Sequence, residues 1–161
     1  MKLDELYDRY GEKMYHYLAL RLGSSEDAED VLQEAFCRLA RYSIRWALVR
    51  NPQAFAFKVL RNESNRYLAR RLRQRAAGQG NPDDAASLGF VIDDWGGNPA
   101  TIISEGLSKL PDEQREVIIL KIFQDFSFRE IASICGLSIN TAASRYRYGL
   151  EKLRASLEGK I

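Results

Sequence analysis

Histidine and cysteine are almost missing from this 161-residue chain, which has one His and two Cys. Cys37 and Cys135 lie far apart, with no Cys-x-x-Cys and no Cys/His spacing beside either, which argues against a zinc knuckle or a disulfide framework. Both are expected to be small buried apolar residues. The lone His16 stands between Tyr15 and Tyr17 and is given no role. Missing too are a Gly-rich phosphate loop, a His/carboxylate cluster and a nucleophile paired with a base, so no metal, no cofactor and no enzymatic activity are expected. No run of about 18 uninterrupted apolar residues occurs, and the opening MKLDELYDRYGEKMYHY meets acids at once instead of an apolar signal core. Neither export nor membrane insertion is predicted, and the chain is expected to be cytoplasmic. Period-two alternation with β-branched enrichment is nowhere sustained, so the chain reads as all-α with no internal repeat.

Charge of one sign is scarce in two blocks and absent from a third. Residues 1–37 hold 4 basic and 9 acidic residues, whereas residues 38–75 hold 11 basic residues and a single acid, Glu63. Between Ala76 and Gly106 there are five acids and no Lys or Arg. A net charge of only +2 therefore hides a polarised molecule, and such blocks point to electrostatic partners. The acidic stretch AAGQGNPDDAASLGFVIDDWGGNPATIIS also collects the Gly and Pro punctuation of a flexible linker, with LGFVIDDW apolar enough to dock somewhere. Two helical domains are expected on either side of it: residues 1–75, a linker over 76–104, and residues 105–161.

What is present is helical patterning with clear start and stop signals. In AEDVLQEAFCRLA, Ala28, Val31, Leu32, Ala35, Phe36 and Leu39 form an amphipathic stripe, with Ser24 or Ser25 as N-cap. Asn51-Pro52 reads as an N-cap followed by Pro at the first helical position, opening a helix that continues to about Arg75. Pro111 with Asp112 and Glu113 starts another helix. Ser127 and Glu130 form a capping box, Gly136 suits a left-handed C′ position, and Ser138 can cap the next helix. That is helix, tight turn, helix. In the second helix Ala142, Tyr146, Gly149 and Leu153 form one buried stripe. The remaining surface offers Ser138, Asn140, Thr141, Ser144, Arg145, Arg147 and Tyr148, with no acid before Glu151. In a helix-turn-helix such a surface meets base edges and phosphates in the major groove. On these residues alone, a stand-alone helix-turn-helix regulator remains the alternative reading.

LPDEQREV and FREIASICGLSINTAASRYRYGLEKLR resemble the promoter-binding region 4 of bacterial sigma factors. AEDVLQEAFCRLAR, followed by NPQAFAFKVLRNESNRYLARRLRQR, resembles their region 2, and the two-domain layout resembles the extracytoplasmic-function (ECF) group. The resemblance implies an all-α protein with a region 2-like helical bundle and a region 4-like helix-turn-helix domain. It implies core RNA polymerase, through the β′ clamp and the β subunit, and promoter DNA as partners, with an anti-sigma factor as a further candidate. Glu29, Asp30, Gln33, Glu34 and Arg38 would face the clamp, an outward acidic surface suited to a basic partner helix. Arg61, Asn62, Asn65, Arg66, Tyr67, Arg70 and Arg71 would engage the melted downstream element, because single-stranded bases need stacking surfaces and amide hydrogen bonds besides charge. The upstream element falls to the surface from Ser138 to Tyr148 described above. The chain departs from the family pattern where relatives carry an apolar residue after the Arg-Asn pair: here Arg61-Asn62 leads into Glu63-Ser64-Asn65-Arg66.

Overall fold

The computed structural model describes residues 2–42, 48–78 and 98–159, and within them every regular element is helical. The order is α1 (Leu3–Leu22), α2 (Ser25–Arg41), α3 (Pro52–Ala76), α4 (Asn98–Ser108), α5 (Asp112–Ile118), α6 (Phe128–Cys135) and α7 (Ile139–Leu157). α5 runs on as one π-helical turn, Ile119–Phe123. Asp125, at φ 57°, then turns the chain toward α6, a left-handed position that Asp tolerates better than most residues.

Local chemistry sets the helix boundaries. The Ser24 hydroxyl accepts the N–H of Asp27 to open α2, and the Asn51 side chain accepts the N–H of Ala54 to open α3 with Pro52 in its first turn. α1 ends on Gly23 at φ 75°, whose N–H returns to the Ala19 carbonyl. α4 begins at Asn98, inside the stretch expected to be linker. The reason is that Asn98-Pro99 repeats the helix-opening signal of Asn51-Pro52. Most of that stretch, including LGFVIDDW, lies outside the described residues. At the end of α4, Arg115 donates to the carbonyls of Leu107 and Leu110 at 3.0 and 2.9 Å, satisfying acceptors the helix leaves open.

α1, α2 and α3 form an N-terminal lobe, and α4 to α7 a C-terminal one. Ala28, Val31, Ala35 and Leu39 of α2 are buried, while Leu32 and Phe36 of the same stripe are half-buried. Cys135 is buried as expected, but Cys37 is exposed. Cys37 follows Phe36, one helical step of about 100° off the stripe, so it points to solvent.

The lobes share one continuous core. Tyr17 and Phe57 of the N-terminal lobe and Phe126 of the C-terminal lobe are all buried. Phe57 stacks edge-on with Tyr17 at 5.6 Å and with Phe126 at 5.0 Å between ring centroids. Two buried stripes contain polar residues where an apolar one would ordinarily pack. In α1 the face of Met14, Tyr17 and Leu18 continues into Arg21; in α3 the face of Ala56, Phe57 and Leu60 continues into Glu63 and Ser64. Each of these three is paired, which is what makes its burial tolerable.

Candidate polymerase and nucleic-acid interfaces

The helix-turn-helix is built by two nested caps. Ser127 and Glu130 exchange side-chain and backbone hydrogen bonds at 3.1 Å each, closing the predicted capping box of α6. Burial alone would raise the Glu130 pKa. The hydrogen bonds from the Ser127 N–H and from Asn51 outweigh it and hold the carboxyl below its ordinary value. Gly136 takes φ 68°, and the Ser138 hydroxyl accepts the Thr141 N–H at 3.1 Å to start α7. Ala142, Gly149 and Leu153 are buried, and Tyr146 lies edge-on to Phe128 at 5.4 Å. A side chain at Gly149 would place its Cβ 2.8 Å from Ile118 Cδ1 and 3.1 Å from Gln114 Cβ, so glycine lets α7 approach α5 closely.

The seven upstream candidates divide by what they already touch. Asn140, Arg147 and Tyr148 are exposed, and with half-buried Ser144 they fall at i, i+4, i+7 and i+8, one open face of α7. The Arg147 guanidinium sits 5.2 Å from the Tyr148 ring centroid. Ser138 and Thr141 are engaged with each other at the cap, their hydroxyls 2.8 Å apart. Arg145 reaches Glu113 of α5 at 3.6 Å.

The downstream candidates on α3 spread over three faces. Asn62, Arg66 and Arg70, at i, i+4 and i+8, are exposed and form an open stripe. Arg71 instead donates to Asp27 at 3.1 Å and to the Tyr67 hydroxyl at 2.9 Å, tying α3 to the start of α2. Burial, together with the nearby Asp27 carboxylate, pushes the Tyr67 phenol up to about 12. Arg61 and Asn65 turn toward the C-terminal lobe, where Arg61 Nε donates to Glu116 at 2.5 Å and Asn65 accepts from Arg21 at 2.6 Å.

Beside the open stripe, α2 and α3 leave a cleft of about 640 Å³ lined by Arg38, Arg41, Tyr42, Val59, Asn62, Glu63 and Arg66. Glu63, buried at its floor, pairs with Arg38 and, at 3.4 Å, with Arg66. The cleft therefore combines guanidinium groups, one amide and one aromatic ring. Arg41 and Tyr42 were not singled out from sequence, since they lie beyond the periodic stripe.

On the opposite side of α2, Glu29, Asp30, Gln33 and Glu34 are all exposed. Arg38 is turned away from them toward Glu63. Glu29 and Gln33 also border a groove of about 1080 Å³ between α1 and α2, rimmed by Asp4, Asp8 and Glu12. Its walls carry Tyr7 and Phe36, edge-on at 5.3 Å. The α1 acids extend the acidic face beyond the predicted set. Their i, i+4, i+8 spacing was a signal for it.

A capped helix-turn-helix with an open polar helix face, joined to a helical lobe that is basic on one side and acidic on the other, defines a DNA-binding protein that also docks a protein partner. Residues 6–74 match the family model "Sigma-70 region 2", and residues 101–153 match "Sigma-70, region 4". The chain is 30% identical over 139 residues to the ECF RNA polymerase sigma factor EcfG of Rhodopseudomonas palustris, covering 84% of this chain and 74% of that one. It is 27% identical to the ECF RNA polymerase sigma factor SigW of Bacillus subtilis, over 95% of this chain and 87% of the other. In fold it is similar to the sigma factor RpoE of Bartonella quintana, solved in complex with the anti-sigma factor NepR. That match has a TM-score of 0.71 at 22% identity, over 98% of this chain and 99% of the other. CnrH, solved with the cytosolic domain of CnrY, gives the same score and identity over 99% and 89%.

The chain belongs to the ECF sigma factors of bacterial RNA polymerase. It is thus a factor for promoter-specific transcription initiation. The stand-alone regulator is not favoured, because it leaves the region 2 match over residues 6–74 without a role. Sigma factors as a family are not enzymes. No helix among the described residues is long and apolar enough to cross a membrane.

Proposed function

We propose that the chain divides its labour between three surfaces, within domains close to residues 1–75 and 105–161 and with α4 joined to the second. The exposed acids of α2, Glu29, Asp30 and Glu34 with Gln33, dock the β′ clamp of core polymerase; Arg38 serves the basic cleft instead. Asn62, Arg66 and Arg70, with Arg41 and Tyr42 at the cleft, hold the unpaired downstream element, where stacking of a base on an aromatic ring is worth about 1–3 kcal/mol. Asn140, Ser144, Arg147 and Tyr148 read the upstream duplex, with Ser138, Thr141 and Arg145 ordering the helix start and its phosphate contacts. The protein works in the cytoplasm beside the polymerase, without catalytic chemistry of its own. An anti-sigma factor is a fitting regulator, as its structural neighbours RpoE and CnrH were each solved with a bound partner.

The observation that carries this reading is that one chain presents two separate DNA-suited surfaces, the open stripe of α3 and the open face of α7. A duplex-only regulator needs the second alone. The test is promoter opening by reconstituted holoenzyme, read as chemical reactivity of unpaired thymines. Asn62→Ala with Arg66→Ala should cut strand opening about tenfold or more while the upstream footprint persists. Equal loss of both signals, or of neither, would contradict the division.

A further inference from the structure

Two surfaces of the N-terminal lobe are complementary to each other. The first is the end of α3, where every residue from Ala69 to Ala76 except Arg71 is exposed. Ala69, Leu72 and Ala76, at i, i+3 and i+7, form a narrow apolar strip turned to solvent, with Leu72 65% exposed. At about 100° per residue, Arg66 and Arg73 border the strip on one side and Arg75 on the other. An exposed leucine means little by itself; what gives it meaning is the surface it matches.

That surface is the groove of about 1080 Å³ between α1 and α2. Its rim is acidic on both sides, with Asp4, Asp8 and Glu12 from α1 and Glu29 from α2, and none of the described residues lining it is a Lys or Arg. Tyr7, 56% exposed, and half-buried Phe36 are its aromatic walls. The groove is apolar between carboxylates, where the helix end is apolar between guanidinium groups. Their lengths agree as well. At about 1.5 Å per residue, the acids from Asp4 to Glu12 span about 12 Å of helix and the strip from Ala69 to Ala76 about 10 Å. The two cannot meet within one chain: α3 is continuous, is tied to α2 through Arg71 and Asp27, and lies on the side of α2 opposite the groove. A second copy can bring them together, and the opposed charge blocks of residues 1–37 and 38–75 orient the encounter.

We propose that the free protein self-associates head to tail, the last two turns of α3 of one copy lying in the acidic groove of the next. Leu72 packs against Tyr7 and Phe36, while Arg66, Arg73 and Arg75 face the acids of the rim. The contact joins two different patches, so copies add in one direction. A two-turn helix buries less than a standard interface, so the association is weak, in the micromolar range, and sensitive to salt. Its consequence rests on the sigma-factor reading: assembly covers Glu29 and Gln33 of the polymerase-facing surface and Arg66 of the downstream stripe, holding the factor in a form that engages neither partner.

The test is sedimentation velocity on the full chain over a concentration series, with circular dichroism alongside, for the wild type, Leu72→Glu, and Asp8→Lys combined with Glu12→Lys. All three positions are exposed, so the helical content should hold. The weight-average mass of the wild type should rise with concentration at low salt and fall to the monomer value at about 0.5 M salt, where the screening length is about 4 Å. Leu72→Glu and the double lysine variant should each stay monomeric. Mixed in equal amounts they should associate again and stop at dimers, because Leu72→Glu retains an intact groove and the lysine variant an intact α3 end. A wild type that stays monomeric throughout, variants that assemble as the wild type does, or a mixture that remains monomeric would overturn the proposal. Core polymerase added to the assembled wild type should dissolve it into one-to-one complexes; chains that bind polymerase and stay assembled would overturn the competition. Failure of every chain to bind polymerase would instead count against the sigma-factor reading, on which the sedimentation result does not depend.

Discussion

At the scale of single residues, α7 separates packing from contact. Ala142 is fully buried, so Ala142→Lys forces a charge into the C-terminal core and should destabilise it by several kcal/mol, on the order expected for an unpaired buried charge. Asn140 is exposed, and Asn140→Ala should leave thermal unfolding unchanged while lowering transcription from promoters that depend on the upstream element. Thermal melts of both variants check this; an unstable Asn140→Ala with a stable Ala142→Lys would mean that the helix faces are reversed. Glu130 supplies a pH-dependent case. Its carboxyl is held below the ordinary carboxylate value in the fold. Its contribution is therefore present above the unfolded-state pKa and is lost as pH falls through the folded one. The stability gap between wild type and Glu130→Gln should accordingly be open at pH 7 and in mild acid, and close only as pH falls below the ordinary carboxylate range, as equilibrium unfolding across that range would record.

At the scale of elements, the acidic face of α2 can be changed without disturbing its packing. Glu29, Asp30 and Glu34 are exposed, and the buried stripe of Ala28, Val31, Ala35 and Leu39 does not include them. Reversing all three to Lys should keep the circular dichroism of a helical protein yet weaken binding to core polymerase, since complementary charge is lost. Unchanged affinity would remove this face from the interface. The helices themselves were legible because their signals are local: Ser24, Asn51, Ser127 and Ser138 each cap through a neighbour three residues on. The π-helical turn at Ile119–Phe123 was not, since no cap or breaker residue marks it within EVIILKIF. The start of α4 was hidden by composition: its Asn98-Pro99 signal stood within an acidic, Gly-rich stretch that read as linker throughout. Of the site, the exposed rows on α2 and α7 followed from periodicity, whereas the candidates on α3 followed from the family resemblance. The inward turn of Arg61, Asn65 and Arg38 did not, because periodicity gives a residue's face and not the partner that face will meet.

At the scale of the whole molecule, the contact between lobes was beyond reach of the sequence. Glu63, Ser64 and Arg21 interrupt buried apolar faces, and only their partners, brought from positions up to 95 residues away in the case of Arg21 and Glu116, show them to be satisfied. The same polarity gives the molecule its dependence on polymerase. Alone, with one small helix-turn-helix and a basic lobe that has no means of melting duplex, it should bind promoter DNA weakly, with steep salt dependence and little preference over scrambled sequence. Held by core enzyme with its lobes apart, it engages both elements together, and the second contact becomes effectively intramolecular. The most direct measurement is a titration of labelled promoter and scrambled duplex with the protein alone and with holoenzyme at matched salt. The account predicts a large gain in both affinity and specificity only when polymerase is present; tight, sequence-specific binding by the protein alone, indifferent to added polymerase, would contradict it.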